Sequence, residues 1–170
     1  MSYRNLQPNI AESGIIMEYG SIEREIHVDA SPEVVFEVVS RHEHLREWWP
    51  DEAEIEPTAG ATGHIVFRGT APDEAMIVQM KVVDVQAPHR FSFRWDYEAG
   101  AVPGPSNSML VTFELEPSGV GTRVRMTETG FRERGWEGAI LEQAYREHSE
   151  GWDHFIPRLG EYVARLVSSS

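Results

Sequence analysis

The sequence predicts an α+β protein: an antiparallel β-sheet, two short helices after the first strand and one long C-terminal helix. Three observations predict it. From Ala53 to Thr129, apolar and polar residues alternate in successive segments with no helix-period stretch between them. That is the pattern of an antiparallel meander. From about Gly138 to Val167, apolar residues recur at spacings of three and four, as on one face of a helix. Between these regions and the first strand lie a capped helix and the adjacent Trp48 and Trp49. Two neighbouring indoles, each burying about 150–250 Å² when packed, are costly to leave in water.

The elements follow in order. A strand begins at Ile15 and reads clearly from Ser21 to Asp29, where Ile22, Ile26 and Val28 alternate with Glu23, Glu25 and His27. Arg24 falls on the apolar side and needs a carboxylate or carbonyl partner there. Ser31-Pro32-Glu33 opens a helix: a serine cap, a proline suited to the first turn and an acid at the positive dipole end. A second short helix carries Leu45, Trp48 and Trp49, and Pro50 ends it. Strands are expected over Ala53–Glu56, Gly63–Arg68 and Met76–Gln86. In the next strand Phe91, Phe93, Trp95 and Tyr97 face one way, while Ser92, Arg94 and Asp96 face the other. Met109 to Glu116 and Thr122 to Thr129 alternate about a turn at Pro117–Gly121. Pro157 is expected to kink the last helix. Gly151 is read as letting that helix approach the sheet closely, with Trp152 facing the sheet.

Composition bounds the function. The 170 residues amount to about one domain, with 41% hydrophobic and 25% charged residues. A net charge of −13 and the lack of a basic stripe argue against nucleic acid or an anionic lipid surface as partner. There is no cysteine, which excludes disulfides, thiol catalysis and iron–sulfur clusters. No apolar run reaches the roughly 20 residues needed to span a bilayer, and the N-terminus has no apolar signal core. A soluble, cytoplasmic protein is expected, with no membrane partner.

No motif for catalysis stands out. His42 and His44 sit in what reads as a loop, and His148 and His154 fall on different sides of the last helix. Neither pair supplies the converging ligands that a metal needs, so no metal and no other cofactor is expected. There is no nucleophile elbow and no phosphate loop, so no catalytic residue is assigned. Glu128 continues the inward phase of Val124 and Met126, which leaves it either paired, with Arg24 as the candidate, or shifted in pKa. The bland reading is a structural ion pair; the sharper one is a polar anchor or an acid–base group. His148 is expected in the core or on a cavity wall. The aromatic set Trp48, Trp49, Phe67, Phe93, Trp95, Tyr97, Phe113, Tyr145 and Trp152 either fills a core or lines a pocket.

Arg24, the segment Ala30-Ser31-Pro32-Glu33-Val34-Val35-Phe36, Leu45 with Trp48-Trp49-Pro50, Ala87 to Trp95, Gly121-Thr122-Arg123-Val124, and Gly151-Trp152 with Leu159 occur in a telling order and spacing. In these, residues 20–167 resemble the START-like (SRPBCC) superfamily, and within it the homologues of the heat-shock-protein ATPase activator. The resemblance implies a helix-grip domain over 20–167; the polar N-terminal arm, residues 1–19, lies outside the pattern. In that fold a curved antiparallel sheet wraps the long C-terminal helix and leaves a cavity between them. By analogy with the fold, the expected function is binding of a small apolar or aromatic ligand. Trp95, Tyr97, Phe113, Met126 and Trp152 would supply contact area, and Glu128 and Tyr145 would orient the ligand. Val111 would face the same space. Two alternatives stand beside it: a chaperone cofactor that docks on a heat-shock ATPase, and a cyclase or dehydratase-type enzyme. The sequence leaves the ligand and the oligomeric state open.

Overall fold

The computed structural model describes residues 19–69 and 71–169; the polar arm up to residue 18, and the strand start expected at Ile15, lie outside the described residues. The chain begins with strand β1 (Ser21–Val28) and two short helices, α1 (Pro32–Ser40) and α2 (His42–Trp48). Six strands follow: β2 (Glu52–Glu54), β3 (Thr62–Phe67), β4 (Met76–Gln86), β5 (Arg90–Trp95), β6 (Met109–Ser118) and β7 (Gly121–Thr129). Helix α3 (Gly138–Ser168) closes the chain. Among the described residues the strands form one sheet in the order β1-β7-β6-β5-β4-β3-β2. Every neighbouring pair is antiparallel. This is the α+β helix-grip architecture, with the sheet on one side of a single long helix.

The local chemistry explains the joints. Ser31 Oγ accepts from the Val34 amide, so the predicted serine cap of α1 forms, with Pro32 just inside it. His42 and His44 lie in the first turn of α2 rather than in a loop. The helix ends because Trp49 leaves helical geometry, with ψ of −94°. That turn sends Trp48 into the core, where its indole N–H donates to Val38 O at 3.1 Å, while Trp49 points toward α3. Gly121 sits where a Cβ would lie 2.1 Å from Val28 O, so the end of β1 closes over it only because it is glycine.

Helix α3 presents Trp152, Ile156, Leu159 and Val163 to the core, at steps of four, three and four. It continues through Pro157, which lies exposed within the assigned helix. Arg24 projects toward this helix as its phase predicted, but its partners are there and not on β7. Its Nε donates to Asp153 Oδ1 at 2.7 Å and its guanidinium to Ser149 Oγ at 2.7 Å. The expected Arg24–Glu128 pair is therefore replaced by a bridge from β1 to α3. In the ladder Arg24 stands opposite Met126 and Ile22 opposite Glu128, while α3 packs on β1 and brings Ser149 and Asp153 within reach of the guanidinium.

Candidate functional site

The site grows from one buried carboxylate. Glu128 on β7 is fully buried. A carboxyl group in such a place needs partners for both oxygens. It has three. The indole N–H of Trp95 donates to Oε2 at 2.8 Å, the indole N–H of Trp152 donates to Oε1 at 2.8 Å, and His148 Nδ1 lies 2.9 Å from Oε2. Three elements, β5, β7 and α3, are thus tied at one point in the core.

His148 completes the arrangement. Its Nε2 faces Asp96 Oδ2 at 3.7 Å, so the ring lies between two carboxylates. Trp95 and Phe131 meet it edge-on at ring separations of 5.5 and 5.3 Å. Burial alone would lower its pKa, but the pairing with Asp96 and Glu128 outweighs burial and raises it from 6.5 to about 10. The same pairing holds the Asp96 carboxyl below its ordinary value, against the opposing effect of burial. His148 is accordingly an imidazolium at neutral pH. A raised pKa contributes stability that is complete below the unfolded value, near 6.5, and is lost as pH rises through about 10. Urea unfolding should therefore show stability falling between pH 6.5 and pH 10, and His148→Gln should flatten that decline. An unchanged slope in the variant would show that the charge on His148 is not held by the fold.

Beside this triad lies a pocket of about 330 Å³ between β3, β4, β5 and α3. Trp49, Trp95 and Trp152 form one wall, with ring centroids 5.1, 5.3 and 6.2 Å apart. Phe67, Met76, Val78 and Phe155 add further apolar lining, while Asp96, Glu147, His148 and Gly151 complete it. Met76 and Glu147 are exposed, so this is an open-mouthed hollow rather than an enclosed interior cavity.

The structure brings five of the expected residues to the pocket: Trp49, Phe67, Trp95, His148 and Trp152. Others pack elsewhere. Trp48, Phe93, Val111, Phe113 and Met126 are fully buried in the core, where Phe113 meets Trp152 at 6.4 Å. Glu128 sits behind the indoles and not on the pocket surface. Tyr145 is half-buried away from it, its hydroxyl donating to Ser21 O at 2.9 Å. Tyr97 lies in a neighbouring hollow with Arg134 and Trp136. The reason is Asp96, whose φ of +65° breaks the strand alternation after Trp95. That left-handed residue turns Asp96 toward His148 and Tyr97 away, the reverse of the sequence phase. Gly151 does not serve close packing, because a Cβ there would meet nothing within 4 Å. It leaves room in the pocket instead.

Asp96, Glu147, Met76, Val78 and Phe155 were not singled out as site residues from sequence. Met76 and Val78 share an inward phase with Met80 and Val82 on β4, and Phe155 belongs to the apolar stripe of α3. Those patterns carried the signal. Asp96 and Glu147 had none. Among the described residues, no group of three or more His, Cys, Asp or Glu side chains converges as for a metal ion. No helix among them is long and apolar enough to cross a membrane.

Comparison with known proteins agrees with the fold. A protein from Mesorhizobium loti is 22% identical, with a TM-score of 0.67 over 85% of this chain and 97% of its own. The Aha1 dimer from Colwellia psychrerythraea is 22% identical, with a TM-score of 0.63 over 84% of this chain and 95% of its own. CalU16 from Micromonospora echinospora is 17% identical, with a TM-score of 0.60 over 88% and 79%. No functionally curated protein matches the chain. Residues 29–164 match the family described as Activator of Hsp90 ATPase homolog 1-like protein, and they make up most of the chain. The chain therefore belongs to that family, within the START-like superfamily.

Proposed function

We propose that this protein binds a small, largely apolar molecule in the pocket walled by Trp49, Trp95 and Trp152. The observation that carries the reading is the way that wall is held. Two of the three indoles have their N–H groups fixed on buried Glu128, so their orientation is set from behind while their rings border open space. Rigid aromatic surface beside a hollow with few polar groups suits an apolar guest. Pre-set rings also lose little entropy on binding.

Acid–base catalysis is less well supported. Nδ1 of His148 is committed to Glu128 and its Nε2 faces Asp96, so neither nitrogen is poised toward a substrate. Docking on a chaperone, suggested by the family description, calls for a contiguous apolar patch. Among the described residues the exposed large apolar side chains are dispersed instead. Val102 and Val120 lie in loops, Ile140 lies at the start of α3, and on β4 Met76 and Ile77 point to opposite faces while Val83 lies toward the far end of the strand.

Gly151 supplies the test. Gly151→Leu should fill the pocket while the helix gains roughly 1 kcal/mol in propensity. A panel of long-chain alcohols, flavonoids and aromatic polyketides should contain members that raise the melting temperature of the wild type. At a hundredfold excess over the dissociation constant the gain is about 2.7 kcal/mol. The same compounds should leave Gly151→Leu unmoved, although that variant is expected to be at least as stable as the parent. No shift with any compound, or equal shifts in both proteins, defeats the proposal.

A further inference from the structure

We infer that the pocket selects a cationic ligand, an ammonium group carried on an apolar or aromatic body. This rests on the ligand-binding reading and names the chemistry of the guest. The argument starts from the charges at the wall. Among the described residues Asp96 and Glu147 are the carboxylates that line the pocket, and no lysine or arginine lines it. The one cation among those residues there, His148, lies between Glu128 and Asp96 and is outnumbered by them. The triad is thus net negative, and Glu147 adds a second negative charge at the mouth.

The donors point the same way. The N–H groups of Trp95 and Trp152, and Nδ1 of His148, are all taken up by Glu128. An anionic guest would find none of these donors free, and it would face two carboxylates. Arg134 lies on the far side of Asp96, where it reaches the Asp96 backbone carbonyl at 3.3 Å and stacks on Trp136. It borders the neighbouring hollow and not this one. Asp96 keeps about 45% of its side chain exposed and so has accepting capacity left for a donor.

The rings add a further attraction. Indole faces bind cations through their quadrupole, and ammonium groups are recognised by clustered aromatic rings. A carboxylate that accepts from an indole N–H pushes electron density onto that ring and makes its face more negative. Glu128 does this to two of the three indoles at once. Cation–π attraction and the two wall carboxylates therefore favour the same guest.

Three probes with one bicyclic body separate the effects: naphthylmethylamine, naphthylmethanol and naphthoate, each titrated calorimetrically into the wild type, Glu147→Gln and Gly151→Leu. The amine is expected to bind about tenfold tighter than the alcohol, and naphthoate more weakly than either. Glu147→Gln should weaken the amine severalfold and so narrow its advantage over the alcohol. Gly151→Leu should abolish amine binding. An amine no tighter than the alcohol overturns the inference and leaves the ligand-binding reading standing. Amine binding that survives Gly151→Leu reports only attraction to the acidic surface and also overturns it. If none of the probes binds, the inference falls, and the thermal-shift panel decides whether the ligand-binding reading falls with it.

Discussion

Glu128→Ala is expected to destabilise the protein by about 3–5 kcal/mol, the cost of breaking a buried charge pair by removing one partner. The loss comes from the groups left behind. The alanine strands two indole N–H donors and a histidine whose charge the carboxylate supports. Each orphaned buried donor costs about 1–3 kcal/mol, and these costs overlap because the groups share one site. Glu128→Gln separates size from charge. It keeps the shape and one accepting oxygen, but it sets an amide N–H₂ against a donor. Urea unfolding should place it between wild type and alanine. A loss under about 1 kcal/mol for Glu128→Ala would mean that the triple hydrogen bond does not hold β5, β7 and α3 together.

The second large effect is at Trp152. This residue is 2% exposed and touches Trp49, Trp95 and Phe113 as well as Glu128. Trp152→Ala should cost about 3–5 kcal/mol through lost burial and the cavity it leaves. Trp152→Phe should cost less, since it keeps most of the packing and loses the N–H to Glu128. The two sites share a hydrogen bond, so a double-mutant cycle of Trp152→Phe with Glu128→Gln should show coupling of about 0.5–3 kcal/mol. A Trp152→Ala melt that overlays the wild type would place the residue outside the core.

The fold was legible because its signals are local. Alternation marks β4, β5, β6 and β7, a serine–proline pair marks the start of α1, and the three-four spacing marks α3. The site was legible in part, because it depends on where local phase fails. Strict alternation places Tyr97 inward and Asp96 outward. The single left-handed residue at Asp96 inverts both, and nothing short of a backbone dihedral shows it. The inward phase of Glu128 was readable, but its partners lie 33 and 24 residues away in sequence. Only the packing of α3 across β5 and β7 brings them together. Arg24 shows the same limit. Its need for a partner followed from its position, whereas the choice of Asp153 followed from the path of the helix above β1. Gly151 suggests a contact point in the sequence because glycine permits close approach, and it permits empty space equally well.

The chain carries 5 tryptophans, and they report directly on the central claim that the pocket binds an apolar molecule. Each indole N–H contributes one signal to a proton–nitrogen correlation spectrum. Trp49, Trp95 and Trp152 border the pocket; Trp48 donates to Val38 O in the core, and Trp136 stacks under Arg134 beside another hollow. Titration with a compound that raises the melting temperature should move the signals of Trp49, Trp95 and Trp152. Those of Trp48 and Trp136 should move far less. Movement centred on Trp136, or no movement at any indole, would contradict the account.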